Sequence, residues 1–153
     1  MFDSMNKREN RIFTIGHSTR NLDELIALLR RHEVSALIDV RHFPNSRRNP
    51  QFNKKNLEIK LPESYIQYHW IGELGGFREG GYKKYMDSKE FNLGLNKLLE
   101  IAKDRTTAII CAELLWFRSH RASIASLLTK NGWHVVHIFD EGRTQIHKLR
   151  KEG

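Results

Sequence analysis

Thr106-Thr-Ala-Ile-Ile-Cys-Ala-Glu-Leu-Leu-Trp-Phe-Arg-Ser-His-Arg121 changes character halfway along. Its first five residues, up to Ile110, are β-branched or small and predict a buried strand. Beyond Cys111 the pattern turns polar and then helical from Ala122 to Lys130, with Asn131-Gly132 as a stop. One thiol, one carboxylate, one imidazole and two guanidiniums therefore gather around a strand-to-helix turn. In α/β sheets the carboxyl ends of strands are where ligands collect.

The same alternation extends in both directions. Upstream, Arg11-Ile-Phe-Thr-Ile15 predicts a first strand ending at Gly16-His-Ser-Thr19. Leu22, Leu25, Ile26, Leu28 and Leu29 then recur at helical spacing, with Asn21 or Thr19 as the cap. Ser35-Ala-Leu-Ile-Asp-Val40 is a near-continuous apolar run, as in a parallel strand covered on both faces. Pro44 and Pro50 punctuate a loop from Arg41 to Asn53, a short helix from Lys54 to Leu61 meets Pro62, and Ser64 to Trp70 predicts a third strand. A glycine-rich loop holding Gly72, Gly75, Gly76, Gly80 and Gly81 precedes a helix opened by Ser88. Downstream, Trp133 to Phe139 predicts a fifth strand. The expectation is a single three-layer α/β domain, Rossmann-like, with a mostly parallel sheet of about five strands between helices. Its expected limits are 11 to 145, between a flexible N-terminal segment (1–10) and a basic C-terminal tail (146–153).

Bulk composition narrows the class. A chain of 153 residues with 39% hydrophobic content, eight Phe and three Trp has enough apolar mass for one core. No apolar run nears the roughly 20 residues that cross a bilayer, so no membrane association is expected. The first ten residues carry no signal-peptide apolar region. A single cysteine forms no internal disulfide and suits a reducing cytoplasm. The net charge is +8, and between Arg41 and Lys60 six basic residues face Glu58 alone. Such a patch favours phosphate-bearing partners, and it also serves solubility.

Three predicted strand ends carry polar groups: His17 and Ser18 after the first, Asp39 and Arg41 at the second, Cys111 and Glu113 at the fourth. In a parallel sheet they share one edge and form a cleft. Asp39, Glu113, His17 and Cys111 are the candidate catalytic groups. Ser18, Arg41, Ser46, Arg47, Arg48, His120 and Arg121 are the candidate phosphate-binding groups. The competing reading pairs Asp39 and Glu113 with Arg41 and Arg121 as buried ions. Within the Arg41–Asn53 loop, His42, Phe43 and Phe52 are placed to stack on a base or to tuck into the core. Tyr82, Tyr85 and the Glu73–Arg78 stretch suggest a lid. Cys111 fits a phosphate loop poorly, because position 117 is Phe117 where a Cys-x5-Arg spacing needs arginine, and no glycine turns the amides toward an anion. His134 and His137 face opposite sides of a strand, so no metal is expected. No Gly-x-Gly-x-x-Gly follows a strand, and no cofactor is expected.

Taken together, Thr14-Ile-Gly-His-Ser-Thr19, Ile38-Asp-Val-Arg41 with Pro44 and Ser46-Arg-Arg48, Glu73-Leu-Gly-Gly76, and Cys111-Ala-Glu113 with His120-Arg121 resemble the domain of unknown function 488 family. The resemblance runs in order from about Ile12 to Ile138. It implies a compact α/β domain of bacteria and archaea and no established reaction. Members of that family often carry proline at the position of Trp116 and cysteine at that of Ser119, so a two-thiol mechanism is unsupported here. Ile38-Asp-Val-Arg41 and the strand-end cysteine are also distantly similar to rhodanese-like domains. The leading expectation is a hydrolase or transferase acting on a phosphate-bearing substrate such as a nucleotide or nucleic acid. The alternatives are a non-catalytic nucleic-acid-binding module and a rhodanese- or phosphatase-like thiol enzyme using Cys111. The oligomeric state is left open.

Overall fold

The computed structural model describes residues 10–149. Their strands are β1 (Arg11–Gly16), β2 (Ala36–Asp39), β3 (Gln67–Trp70), β4 (Thr107–Cys111), β5 (His134–Asp140) and β6 (Arg143–Ile146). The helices are α1 (Leu22–Arg31), α2 (Lys54–Glu63), the single turn α3 (Tyr82–Tyr85), α4 (Lys89–Ala102) and α5 (Arg121–Lys130). One sheet in the order β3-β2-β4-β1-β5-β6 joins all six strands. The first five are parallel and β6 runs antiparallel to β5.

Alternation along the buried strands divides the core in two. Phe13, Leu37, Ala108 and Ile110 meet Leu25 and Leu29 of α1 and Leu57 and Leu61 of α2. Ile12, Ile38, Ile109 and Cys111 meet Phe91 and Leu98 of α4 and Ile124 and Leu128 of α5 on the other face. Burying each such Leu or Ile contributes about 1.5–3 kcal/mol. The chain thus packs its first two crossover helices on one face and its last two on the opposite face. That reversal places β4 between β2 and β1, where the loops that follow diverge and leave a crevice.

The helix starts follow from their caps. Asn21 Oδ1 accepts from the Glu24 amide at 2.8 Å, and the Asn21 amide donates back to Glu24 Oε1 at 3.0 Å. Ser88 Oγ accepts from the Phe91 amide at 3.1 Å. Three expectations need correction. α2 runs through Pro62 to Glu63, since a proline in the last turn forfeits only one helical bond. β3 begins at Gln67, because Tyr65 turns the chain at φ +62° after the helix. The sheet has a sixth strand, and the expected domain limit at 145 falls inside it. Beyond β6, His147 is buried, so Ile146 and His147 belong to the fold, while residues 150–153 of the expected tail lie outside the described residues. Of the segment expected to be flexible, residues 1–9 lie outside the described residues, while the Asn10 carbonyl accepts from the His134 amide at 2.5 Å. No helix among the described residues is long and apolar enough to cross a membrane.

Candidate functional site

Pairing between β1 and β4 continues past both strand ends. The His17 amide donates to Cys111 O at 2.9 Å, and the Ser18 amide to Ala112 O at 3.0 Å. A side chain at Gly16 would run into the backbone of Glu113 and Leu114, so only glycine allows this approach. Ser18 pays with a left-handed backbone, φ +50°. Beside this seam, at the carboxyl ends of β1, β2 and β4, lies a cleft of about 690 Å³. Ser18, Arg41, Cys111, Glu113 and His120 line it, whereas His17 and Asp39 do not. Phe43, Phe77, Arg78, Tyr82 and Arg118 complete its walls.

Under the cleft, Asp39 is fully buried and committed. Its carboxylate accepts from Arg41 Nε at 2.9 Å and from the second Arg41 nitrogen at 2.7 Å. Tyr68 Oη donates to it at 2.5 Å. Burial opposes the Arg41 charge, yet Asp39 holds the guanidinium above its ordinary pKa. Arg41 also donates to Phe52 O at 2.7 Å, anchoring the loop that follows β2. His17 stacks on Phe52 with ring centres 4.5 Å apart. Its Nδ1 donates to Ser18 O at 2.9 Å and its Nε2 faces Arg41 at 3.4 Å. Burial, reinforced by the Arg41 charge, lowers this imidazole to about 4. Asp39 and His17 are therefore held in the framework, and neither lines the cleft.

Arg121 likewise leaves the list of ligand contacts, since only 1% of it is exposed. Its guanidinium turns inward to the carbonyls of Glu113 at 2.8 Å and Leu114 at 3.1 Å, and to Thr14 Oγ1 at 3.3 Å. Its Nε has no partner. Burial lowers its pKa, and no carboxylate bonds it directly. The Glu113–Arg121 ion pair of the competing reading is replaced by contact with the Glu113 backbone. This leaves the Glu113 carboxyl exposed at the cleft rim, with Oε1 near the Leu115 amide at 3.4 Å. Cys111 Sγ lies 3.5 Å from Ser119 Oγ and 3.8 Å from Glu113 O.

His120 is the group whose chemistry is most defined. Its Nε2 lies 2.6 Å from Val40 O, and a carbonyl only accepts, so Nε2 carries the proton. Burial lowers its pKa, outweighing the Val40 bond, and the neutral ring keeps a lone pair on Nδ1. Among the described residues no protein group bonds that Nδ1. A Cβ at Gly76 would sit 3.1 Å from it, so glycine keeps this nitrogen open.

Ser46, Arg47 and Arg48 lie outside the cleft. Ser46 Oγ accepts from the amides of Arg48 at 3.2 Å and Asn49 at 3.1 Å, which shapes the loop. Arg47 and Arg48 project into solvent. Sequence reasoning placed Arg118 in the strand-end segment and Phe77 in the suggested lid, without singling out either as a ligand contact. Arg118 shares the strand-end segment with His120, and that proximity was a signal. The Phe77 conformation, φ +56° with 88% exposure, had no signature beyond the neighbouring glycines. Tyr82 and Tyr85 clamp the same loop, donating to Leu74 O at 2.7 Å and Glu73 O at 2.6 Å.

A second depression of about 890 Å³ shares Ser18 and Leu114 with the cleft. Its ions are already engaged: Arg143 pairs with Asp140, Glu24 caps α1, and Arg20 donates to Gly16 O and Phe139 O. No group of three or more His, Cys, Asp or Glu among the described residues is arranged to hold a metal.

The family model described as domain of unknown function DUF488 matches residues 21–128. The chain belongs to this family. The matched region holds β2 through most of α5, including every cleft residue except Ser18. No curated protein and no solved structure shows a significant match.

Proposed function

We propose that this DUF488 domain binds a phosphate-bearing substrate such as a nucleotide in the cleft and acts on it as a hydrolase or transferase. The observation that supports this reading is the meeting, in one cleft, of a solvent-facing guanidinium, exposed phenyl rings and an imidazole with an open lone pair. Arg118 is exposed, with no carboxylate at bridging distance among the described residues. Phe43 and Phe77 are 68% and 88% exposed, which is costly for apolar rings unless a ligand covers them. Arg118 holds the phosphate, the two rings hold a planar base, and Ser18 adds a hydroxyl. His120 Nδ1 accepts the proton of the attacking water or hydroxyl, and Glu113 is the second proton-handling group. The single cysteine suits a cytoplasmic setting.

A non-catalytic nucleic-acid-binding module is the second reading, favoured by the engagement of Asp39 and His17 in the framework. The two readings separate on paired measurements with AMP and a panel of nucleoside phosphates. AMP should bind by calorimetry, and Arg118→Ala should weaken it about tenfold or more, the loss of a charge-assisted contact. His120→Gln and Glu113→Gln should retain binding and abolish phosphate release. Binding with no turnover of any panel member selects the module, and no AMP binding at all removes the cleft reading.

A further inference from the structure

We infer that the substrate is a single-stranded polynucleotide, threaded from the cleft along the loop that follows β2; this rests on the nucleotide-binding reading of the cleft. That loop leaves the cleft at Phe43 and carries Arg47 and Arg48 at its apex. It is pinned along its length. Arg41 donates to Phe52 O at 2.7 Å, the Ser46 amide to Asn53 Oδ1 at 2.6 Å, and Gln51 Nε2 to Arg20 O at 2.7 Å. Phe52 is fully buried and roots the loop in the core.

A loop so fixed holds its backbone in place before any ligand arrives, while its two adjacent guanidiniums stay in solvent. Neither has a carboxylate at bridging distance among the described residues, whereas nearby Lys54 and Lys60 pair with Glu58 and Glu63. Lys55 adds a further exposed cation at the start of α2. One phosphate group in the cleft engages Arg118 and leaves the loop cations unused. A chain of phosphates engages both. Arg47 lies four positions after Phe43, a span of at most about 14 Å, within the length of a few nucleotides.

Strandedness follows from the rings. Phe43 and Phe77 line the cleft with most of their surface exposed, and a base stacks on an aromatic ring only when it is free of a duplex. A mixed surface of exposed arginine and phenylalanine is also the composition that sequence-tolerant single-strand binders use: charge for the backbone, aromatic rings for the bases.

The test is fluorescence anisotropy with a labelled 12-nucleotide oligothymidine, a 12-base-pair duplex and AMP, across a salt series. The oligomer should bind more tightly than either competitor, with log affinity falling linearly against log salt. Changing Arg47 and Arg48 together to Ala should shallow that slope by about 1.4, two phosphates at roughly 0.7 each for a single strand. AMP affinity should not move with that change. Phe43→Ala should weaken the oligomer about tenfold at every salt concentration and leave the slope intact. An unchanged slope in the double variant overturns the proposal. So does equal binding of the duplex, or equal competition by poly-glutamate, which would mark the track as a site for acidic peptides. If AMP binds and the oligomer gains nothing over it, the polynucleotide falls while the cleft stands. If neither binds, the cleft reading fails with it.

Discussion

At the scale of single residues, the site turns on which polar side chains face outward. Cys111, Asp39 and Arg121 stand at strand ends or a helix start, where reactive groups gather, yet all three are turned into the protein. Cys111 is 3% exposed and packs with Ile109 and Ile124 in the core. Its thiol behaves as a small apolar filler with two weak polar contacts, to Ser119 Oγ and Glu113 O. Iodoacetamide should therefore leave the native protein unmodified over the time in which urea-unfolded protein is fully alkylated, as read by intact-mass measurement. Rapid alkylation of the native state would instead restore the thiol-enzyme alternative. Glu113 and Arg118 at the rim, with His120 in the cleft wall, are the groups to which the proposed chemistry is assigned.

Elements explain why the fold was more legible than the site. Strand periodicity, the Asn21 and Ser88 caps and the Asn131-Gly132 stop are local signals, and the five parallel strands and the helices stand close to where those signals put them. β6 escaped because Arg143, Thr144, Gln145 and Ile146 are all exposed, so no apolar alternation marks them. The strand is held by pairing with β5 and by the buried His147 just beyond its end. His147 Nδ1 lies 2.9 Å from His137 Nε2, and its Nε2 lies 3.0 Å from Ser126 Oγ. Replacing His147 with Ala leaves both partners without that bond. It should cost about 1–3 kcal/mol in urea denaturation; an unchanged midpoint would mean the edge strand is held without it. Site residues were less legible because side-chain direction is a tertiary property. Asp39 and Glu113 look alike in sequence, and only the position of Tyr68 and Arg41 separates the engaged carboxylate from the exposed one.

For the molecule as a whole, the buried imidazoles couple the fold to acidity. Burial lowers His17 to about 4 and His137 to about 3, both from 6.5. Below pH 6.5 the unfolded chain takes up protons that the native rings refuse, so stability present at pH 7 is lost as the pH falls. Each histidine contributes a loss of about 1.4 kcal/mol per pH unit until its native value is reached. The urea midpoint should fall steadily from pH 6.5 to about 4, where the His17 contribution ends, and continue more gently to about 3 through His137. His137→Gln should shallow that fall. A midpoint flat over this range would show that neither ring is neutral in the native protein. His137 lies in a polar seam from Arg121 through Thr14 to His147, and among the described residues no carboxylate is bonded to it.

The return of the chain through β6 has an architectural consequence. Asn10 bonds to His134 and His147 to Val135, so the first described residue and the end of the last strand flank the same spot at the amino edge of the sheet. The cleft occupies the opposite edge, roughly 20 Å away across a six-residue strand. The described chain thus enters the fold at Asn10 and leaves the sheet after His147 at neighbouring points, both at the end of the strands away from the cleft mouth.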